Sequence, residues 1–327
     1  MTPTASSPTT VVQEATGKVV LLGEHSVVYG QPAIAAAIDR KLRVVLRRRV
    51  DEAEPVFRET NGDARLAAAL AEAAREFGLD PDALELRIES DIPAGSGLGS
   101  SAALSVALIR AAAALAGSPA PSGRELATRA ARVENVFHGT SSGVDVAAVA
   151  SGGTIWFERG GPRSHPVRVR ASVDVIIALS GESRSTEGPV RRLRERVRAE
   201  PDLYAQLFSA AGAIVRRGAD ALARGDWQAL GASFDAAHDL LDAFGVSTPT
   251  LDRMIAVARA AGALGAKLSG AGGGGAIIAL APTRPERVAG ALESEGFGAF
   301  VTRLAEQQGP RLVERRGTAA APAFVAR

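Results

Sequence analysis

Residues 84–90 alternate strictly, with Leu84, Leu86 and Ile88 set against Glu85, Arg87 and Glu89. That period of two predicts a strand with one buried face. Residues 11–23, ending in the run Val19-Val20-Leu21-Leu22 before Gly23, read as another strand. Residues 33–38 and 42–46 read as a buried segment followed by a strand. Helical spacing governs residues 64–77, closing at Gly78, and an uninterrupted helix-forming run begins at Ala102 and continues to about residue 115. A helix over 124–136 leads to a turn at 138–143, then a strand over 152–157 and a surface turn at 160–162. Residues 173–179 form an apolar strand that opens a second domain, with helices over about 190–198, 204–217, 227–244, 250–261 and 284–295. Strands at 276–280 and 299–304 complete the pattern. Strands and helices in mixed runs predict an α+β fold rather than a doubly wound sheet. The expected domains are 11–168 and 169–308, with 1–10 and 309–327 as loose tails.

Composition narrows the function classes. A chain of 327 residues with 46% hydrophobic residues can bury the cores of two domains. The net charge is +2, and no basic stretch is interleaved with aromatic residues, which argues against a nucleic-acid module. Cysteine is absent, so disulfides, thiolate metal sites and cysteine catalysis are excluded. The first ten residues lack the features of a signal peptide, and no apolar run has the length of a membrane span. The expectation is a soluble, cytoplasmic protein. Only three of the 38 basic residues are lysines: Lys18, Lys41 and Lys267. Lysine is a compact point charge suited to a tight site, and Lys18 and Lys267 both lie beside glycine-rich or charged motif segments.

The strongest motif is residues 93–102, Pro93-Ala-Gly-Ser-Gly-Leu-Gly-Ser-Ser-Ala102. Gly95, Gly97 and Gly99 permit positive φ and close backbone approach to a ligand. The helix that follows directs its unpaired N–H groups and dipole at the loop, making an anion cradle suited to a polyphosphate. The loop has no lysine, so the Walker pattern fails. Its glycines are spaced Gly-x-Gly-x-Gly with no carboxylate in the next 20 residues, so the dinucleotide pattern fails too. A plain glycine-serine turn capping a helix is the bland alternative. Ser100 is either a phosphate contact or the helix N-cap.

Three further segments join it: Gly17-Lys18 with Gly23-Glu24-His25-Ser26-Val27-Val28-Tyr29-Gly30, the stretch from Glu134 through His138-Gly139-Thr140-Ser141-Ser142-Gly143 to Asp145, and a second glycine-rich loop from Lys267 to Gly275. With these four in this order, the chain resembles the kinase superfamily of galactokinase, homoserine kinase, mevalonate kinase and phosphomevalonate kinase. The first motif, Phe244-Gly245-Val246-Ser247 and the second glycine loop are similar to the mevalonate kinase form.

The resemblance implies an N-terminal lobe like the second domain of ribosomal protein S5 and a ferredoxin-like C-terminal lobe, with the active site between them. It also implies transfer of the γ-phosphoryl group of ATP to the primary hydroxyl of (R)-mevalonate, with Mg²⁺ as cofactor. ATP would bind at Pro93, Ala94, Gly95, Ser96, Gly97, Leu98, Gly99, Ser100, Ser101 and Ala102. Asp145 would be the catalytic base and Lys18 its partner; Ser101 and Glu134 would ligate the metal; Glu24, His25, Ser26, Arg184 and Thr186 would face the acceptor. Gly270, Gly272 and Gly273 would shape the second loop, and Lys267 reads as structural. For assembly the resemblance implies a homodimer. The chain departs from the family pattern at Thr16, Ser141-Ser142 and Ala237, where proline, Pro-Ser and asparagine are usual. The alternatives are a kinase for phosphomevalonate or another small hydroxy acid, and a non-catalytic sensor on the same fold.

Overall fold

The computed structural model describes residues 8–49, 63–138, 142–159, 164–182 and 187–304. The first sheet comprises β1 (Thr10–Leu22), β2 (Ala33–Arg48), β3 (Leu84–Ser90), β4 (Thr154–Phe157) and β5 (Ser164–Pro166), all paired antiparallel. Its order is β1-β2-β4-β5, with β3 also on β2. The polar trio Asp39-Arg40-Lys41 suggests a break between two segments, yet β2 is one continuous strand of 16 residues. The trio marks the place where β2 changes partners on one edge, from β4 at residues 33–36 to β3 at residues 42–48. Residue 165, which reads as loop in the sequence, belongs to β5: His165 pairs with Trp156 across the strands.

Helices α1 (Ala64–Arg75), α2 (Ser100–Leu115), α3 (Gly123–His138) and α4 (Val144–Ser151) accompany this sheet. Twelve of the sixteen residues of α2 are buried, because it packs against β1 and β2 on one side and α3 and α4 on the other. A helix surrounded in this way has to be apolar all round. The short helix α4 has no counterpart in the sequence reading; its eight residues follow directly from the Gly143 turn.

The second half runs β6 (Val173–Leu179), α5 (Glu187–Ala199), α6 (Pro201–Arg224), α7 (Trp227–Ala243), α8 (Pro249–Ala260), β7 (Gly265–Ser269), β8 (Ala276–Leu280), α9 (Pro285–Ser294) and β9 (Gly298–Leu304). Its antiparallel sheet has the order β7-β8-β6-β9, which is the ferredoxin-like arrangement. Alternation along β6 divides its side chains between two cores: Ile176 and Ala178 pack with Phe244, Met254 and Leu292, while Val175 and Ile177 join the core that also contains α2. The lobes therefore share apolar interior. Helix α6 approaches the first lobe through Gly212 and Gly218, where an added Cβ would meet Gln31 and Leu22. No described helix is long and apolar enough to cross a membrane.

Candidate active site

Lys18 reaches the site through an irregularity in β1. The β1–β2 register shifts between Thr16 and Lys18, a bulge that turns the strand locally. An added Cβ on Gly17, at the bulge, would lie 3.0 Å from Leu98 O. The Lys18 N–H donates to that same Leu98 O at 2.8 Å, and the nearly buried side chain carries its ammonium to Asp145 Oδ1 at 2.9 Å. Asp145 stands in the first turn of α4 behind Gly143, whose φ of 86° only glycine adopts readily. Thr16, where the family pattern has proline, leaves Oγ1 buried without a hydrogen-bond partner among the described residues.

The loop at 93–102 has the cradle geometry. Gly95, Gly97 and Gly99 take φ of 68°, 79° and 80°. The buried Ser96 hydroxyl donates to Pro93 O at 2.7 Å and accepts from the Leu98 N–H at 3.4 Å, which shapes the turn from within. Helix α2 begins at Ser100, two residues earlier than its helix-forming run suggests, and its N-cap is Gly99, with no side-chain cap. Ser100 is therefore the first helical residue and not the cap. The first N–H groups of α2 are left to an anion, which the helix dipole favours. The stem of Lys18 crosses Gly99 so closely that an added Cβ would fall 2.7 Å from Lys18 Cγ. Cradle and ion pair are one packed unit.

Ser101 and Glu134 also meet. Ser101 Oγ donates to Glu134 Oε1 at 2.8 Å, and Ser105 Oγ donates to Oε2 at 3.1 Å. His138 Nε2 lies 3.1 Å from Ser101 Oγ and 3.4 Å from Glu134 Oε1. Burial raises the Glu134 pKa above its ordinary value, and the charge of Asp145 pushes the same way; the Ser101 and Ser105 hydrogen bonds and His138 oppose it. A buried carboxylate that also feels a second carboxylate suits a hard cation, and a carboxylate with a hydroxyl is an oxygen donor set of the Mg²⁺ kind. No cluster of three or more His, Cys, Asp or Glu that could hold a metal occurs among the described residues. Mg²⁺ bound mainly through nucleotide phosphates and water needs only one or two protein donors. Ser105 and His138 are absent from the sequence-based site; both stand four residues beyond a proposed ligand on the same helix, and that spacing is the signal that finds them.

The corner after β1 is more enclosed than its motif suggests. Glu24 is buried and its Oε1 accepts from Lys267, which is fully buried in β7 rather than in the glycine loop. Burial lowers the Lys267 pKa, and the charge and hydrogen bond of Glu24 oppose that shift. Ser26 is fully buried and donates to Gly23 O at 3.2 Å, so it closes the turn. Of the three residues of this corner expected to face the acceptor, only half-buried His25 reaches the surface. Its Nε2 meets Ala271 O at 3.1 Å. The second glycine loop is further tied by Gly273 N–H to Val246 O at 2.9 Å and by Gly275 N–H to Ser180 Oγ at 3.0 Å. Arg184 and Thr186 lie outside the described residues.

The chain is similar to known kinases along most of its length. The family described as GHMP kinases N terminal domain matches residues 64–153, and that described as GHMP kinases C terminal matches 219–298, which sets the class. The mevalonate kinase of Pyrococcus furiosus is 35% identical over 327 residues, covering 91% of this chain and 97% of its own length. That of Methanothermobacter thermautotrophicus is 37% identical over 278 residues, covering 82% and 89%. The crystal structure of L. major mevalonate kinase in complex with R-mevalonate aligns with a TM-score of 0.82 at 28% identity, covering 94% of this chain and all of that one. The chain belongs to the mevalonate kinase family of the GHMP kinases.

Proposed function

We propose that the protein transfers the γ-phosphoryl group of ATP to the primary hydroxyl of (R)-mevalonate, giving 5-phosphomevalonate and ADP. The observation that carries this reading is the Lys18–Asp145 pair at 2.9 Å, packed against the glycine loop at Gly99. Phosphoryl transfer asks a protein mainly for positioning and charge neutralisation, and the pair with the cradle supplies both. The loop amides and the N-terminus of α2 hold the phosphates. Asp145 accepts the proton of the acceptor hydroxyl as its oxygen bonds to the γ-phosphorus and the bond to the ADP oxygen breaks. Lys18 orients Asp145 and favours the developing alkoxide. Ser101 and Glu134 would hold Mg²⁺, which supplies neutralisation of phosphate charge when bound. The acceptor follows from family membership and from the mevalonate bound to the L. major relative.

A coupled assay of ADP release, offering mevalonate, phosphomevalonate, homoserine and galactose in parallel, tests the reading. Turnover of mevalonate alone is expected. Preference for any other acceptor overturns it.

A further inference from the structure

Lys267 has no part in the chemistry just described, yet the fold buries its ammonium completely, at 0% exposure. From β7 it donates to Glu24 Oε1 and, at 3.5 Å, to Val20 O, which also accepts from Ser269 Oγ at 3.2 Å. One residue beyond Glu24, His25 has φ 59° and ψ −51°, the one non-glycine residue with positive φ among the described residues. Its ring meets Ala271 O of the second glycine loop. Two successive residues of the first lobe are thus tied to one strand and loop of the second. Glu24 also lines a small pocket together with Ile214, Ala237, Leu240 and Phe244, and neither Lys18 nor Asp145 lines it. The surroundings of the Glu24 carboxylate are therefore Lys267 and the apolar seam between α6 and α7.

We propose that Glu24 does not bind the acceptor, and that Glu24 and Lys267 form a buried inter-lobe ion pair that positions His25 and docks the 270–275 loop. Taking two charges out of water is costly, so such a pair is retained where a fixed geometry is required, and removal of one partner strands the other. Strained backbone persists only where its surroundings over-determine it, and here Lys267 holds the residue before His25 while Ala271 O holds the His25 ring itself. Lysine suits the task because its long stem ends in one compact charge, whereas a guanidinium would need more acceptors than Glu24 Oε1 and Val20 O provide. Both are positioning residues, and the inference rests on the corner serving an acceptor site.

The test is a double-mutant cycle of Lys267→Met, Glu24→Gln and the two together, read as kinetics and as backbone hydrogen exchange. Lys267→Met leaves a buried carboxylate uncompensated; kcat/KM for mevalonate is expected to fall about 100-fold, mostly through KM. The KM for ATP should stay within about twofold of wild type. Adding Glu24→Gln removes the stranded charge and is expected to restore about tenfold. Amides of 23–30 and 270–275 should exchange faster together in Lys267→Met and slow again in the double variant. A double variant whose losses multiply, or exchange that quickens in one segment alone, overturns the proposal. If Lys267→Met does not fold, the double variant must still equal or exceed Glu24→Gln. If the wild type prefers another acceptor, the proposed function fails and the cycle is read with that acceptor. If it turns over none, the exchange data decide the positioning role by themselves.

Discussion

Lys18 shows how much a single side chain depends on what surrounds it. Its stem is packed against Gly99 and its ammonium meets Asp145, whose side chain is 39% exposed and therefore open to an acceptor. A buried cation beside a half-open carboxylate holds that carboxylate in place while leaving it accessible. Asp145→Asn keeps the shape and removes the proton acceptor. The expected outcome is a fall in kcat of about 10²–10⁴-fold with nucleotide binding retained, measured by ADP release and by titration with an ATP analogue. Near-normal turnover would remove Asp145 from its role. The lysines themselves divide by environment: Lys18 and Lys267 are buried in ion pairs, and Lys41 makes an exposed pair with Glu14.

Among elements, the cradle formed by the loop and α2 is the proposed nucleotide site, and its glycines are not equivalent. Gly95 and Gly99 both have φ in the left-handed region, but a Cβ on Gly95 meets nothing within 4 Å, whereas one on Gly99 collides with Lys18. Gly95→Asn, a residue that tolerates this conformation, is expected to retain folding and most nucleotide affinity. Gly99→Ala should lose about 1–3 kcal/mol of stability. Because it also displaces Lys18, its kcat/KM should fall at least about 100-fold. Thermal melts and nucleotide titrations on the two variants separate the effects. Equal behaviour would show that backbone strain alone matters and that the Lys18 contact does not. The same element exposes a limit of local reading: Ser100 follows the cap rather than forming it, because Gly99, with its left-handed φ, is the N-cap one residue before it.

At the scale of the molecule, the shared core and the close approach of α6 make the two lobes one unit. A Cβ on Gly218 would lie 2.1 Å from Leu22 Cδ1, and Leu22 is fully buried. Gly218→Ala is therefore expected to cost about 1–3 kcal/mol, read as a lowered urea midpoint; an unchanged midpoint means the seam can relax. Stability should also depend on pH through His238, buried in α7 with Nε2 3.3 Å from Asp252 Oδ1 and with Nδ1 unpartnered among the described residues. Burial lowers its pKa below 6.5, although Asp252 pulls the other way. With the folded pKa below the unfolded one, the unfolded chain binds the proton first. The contribution is present in full above about pH 6.5 and is lost as pH falls through the folded value. The wild-type urea midpoint should drop between about pH 7.5 and 5.5 by more than that of His238→Gln; parallel profiles would exclude His238.

What was legible in the sequence was whatever is dictated locally. Glycines at 95, 97 and 99 announce positive φ, the alternation at 84–90 announces a strand, and the order of four motifs announces the kinase class, because each depends on neighbours along the chain. The rest depended on partners brought together from afar. The continuity of β2 across Asp39-Arg40-Lys41 follows from which strands flank it, and the pairing of His165 with Trp156 follows from sheet register. The fate of Glu24 turns on a lysine 243 positions away. By itself the sequence determined the reaction class and the phosphate cradle, since backbone freedom and helix ends are local properties. Only the tertiary structure decided which charged residues are buried in pairs and which stay exposed, because burial and pairing arise when distant segments pack.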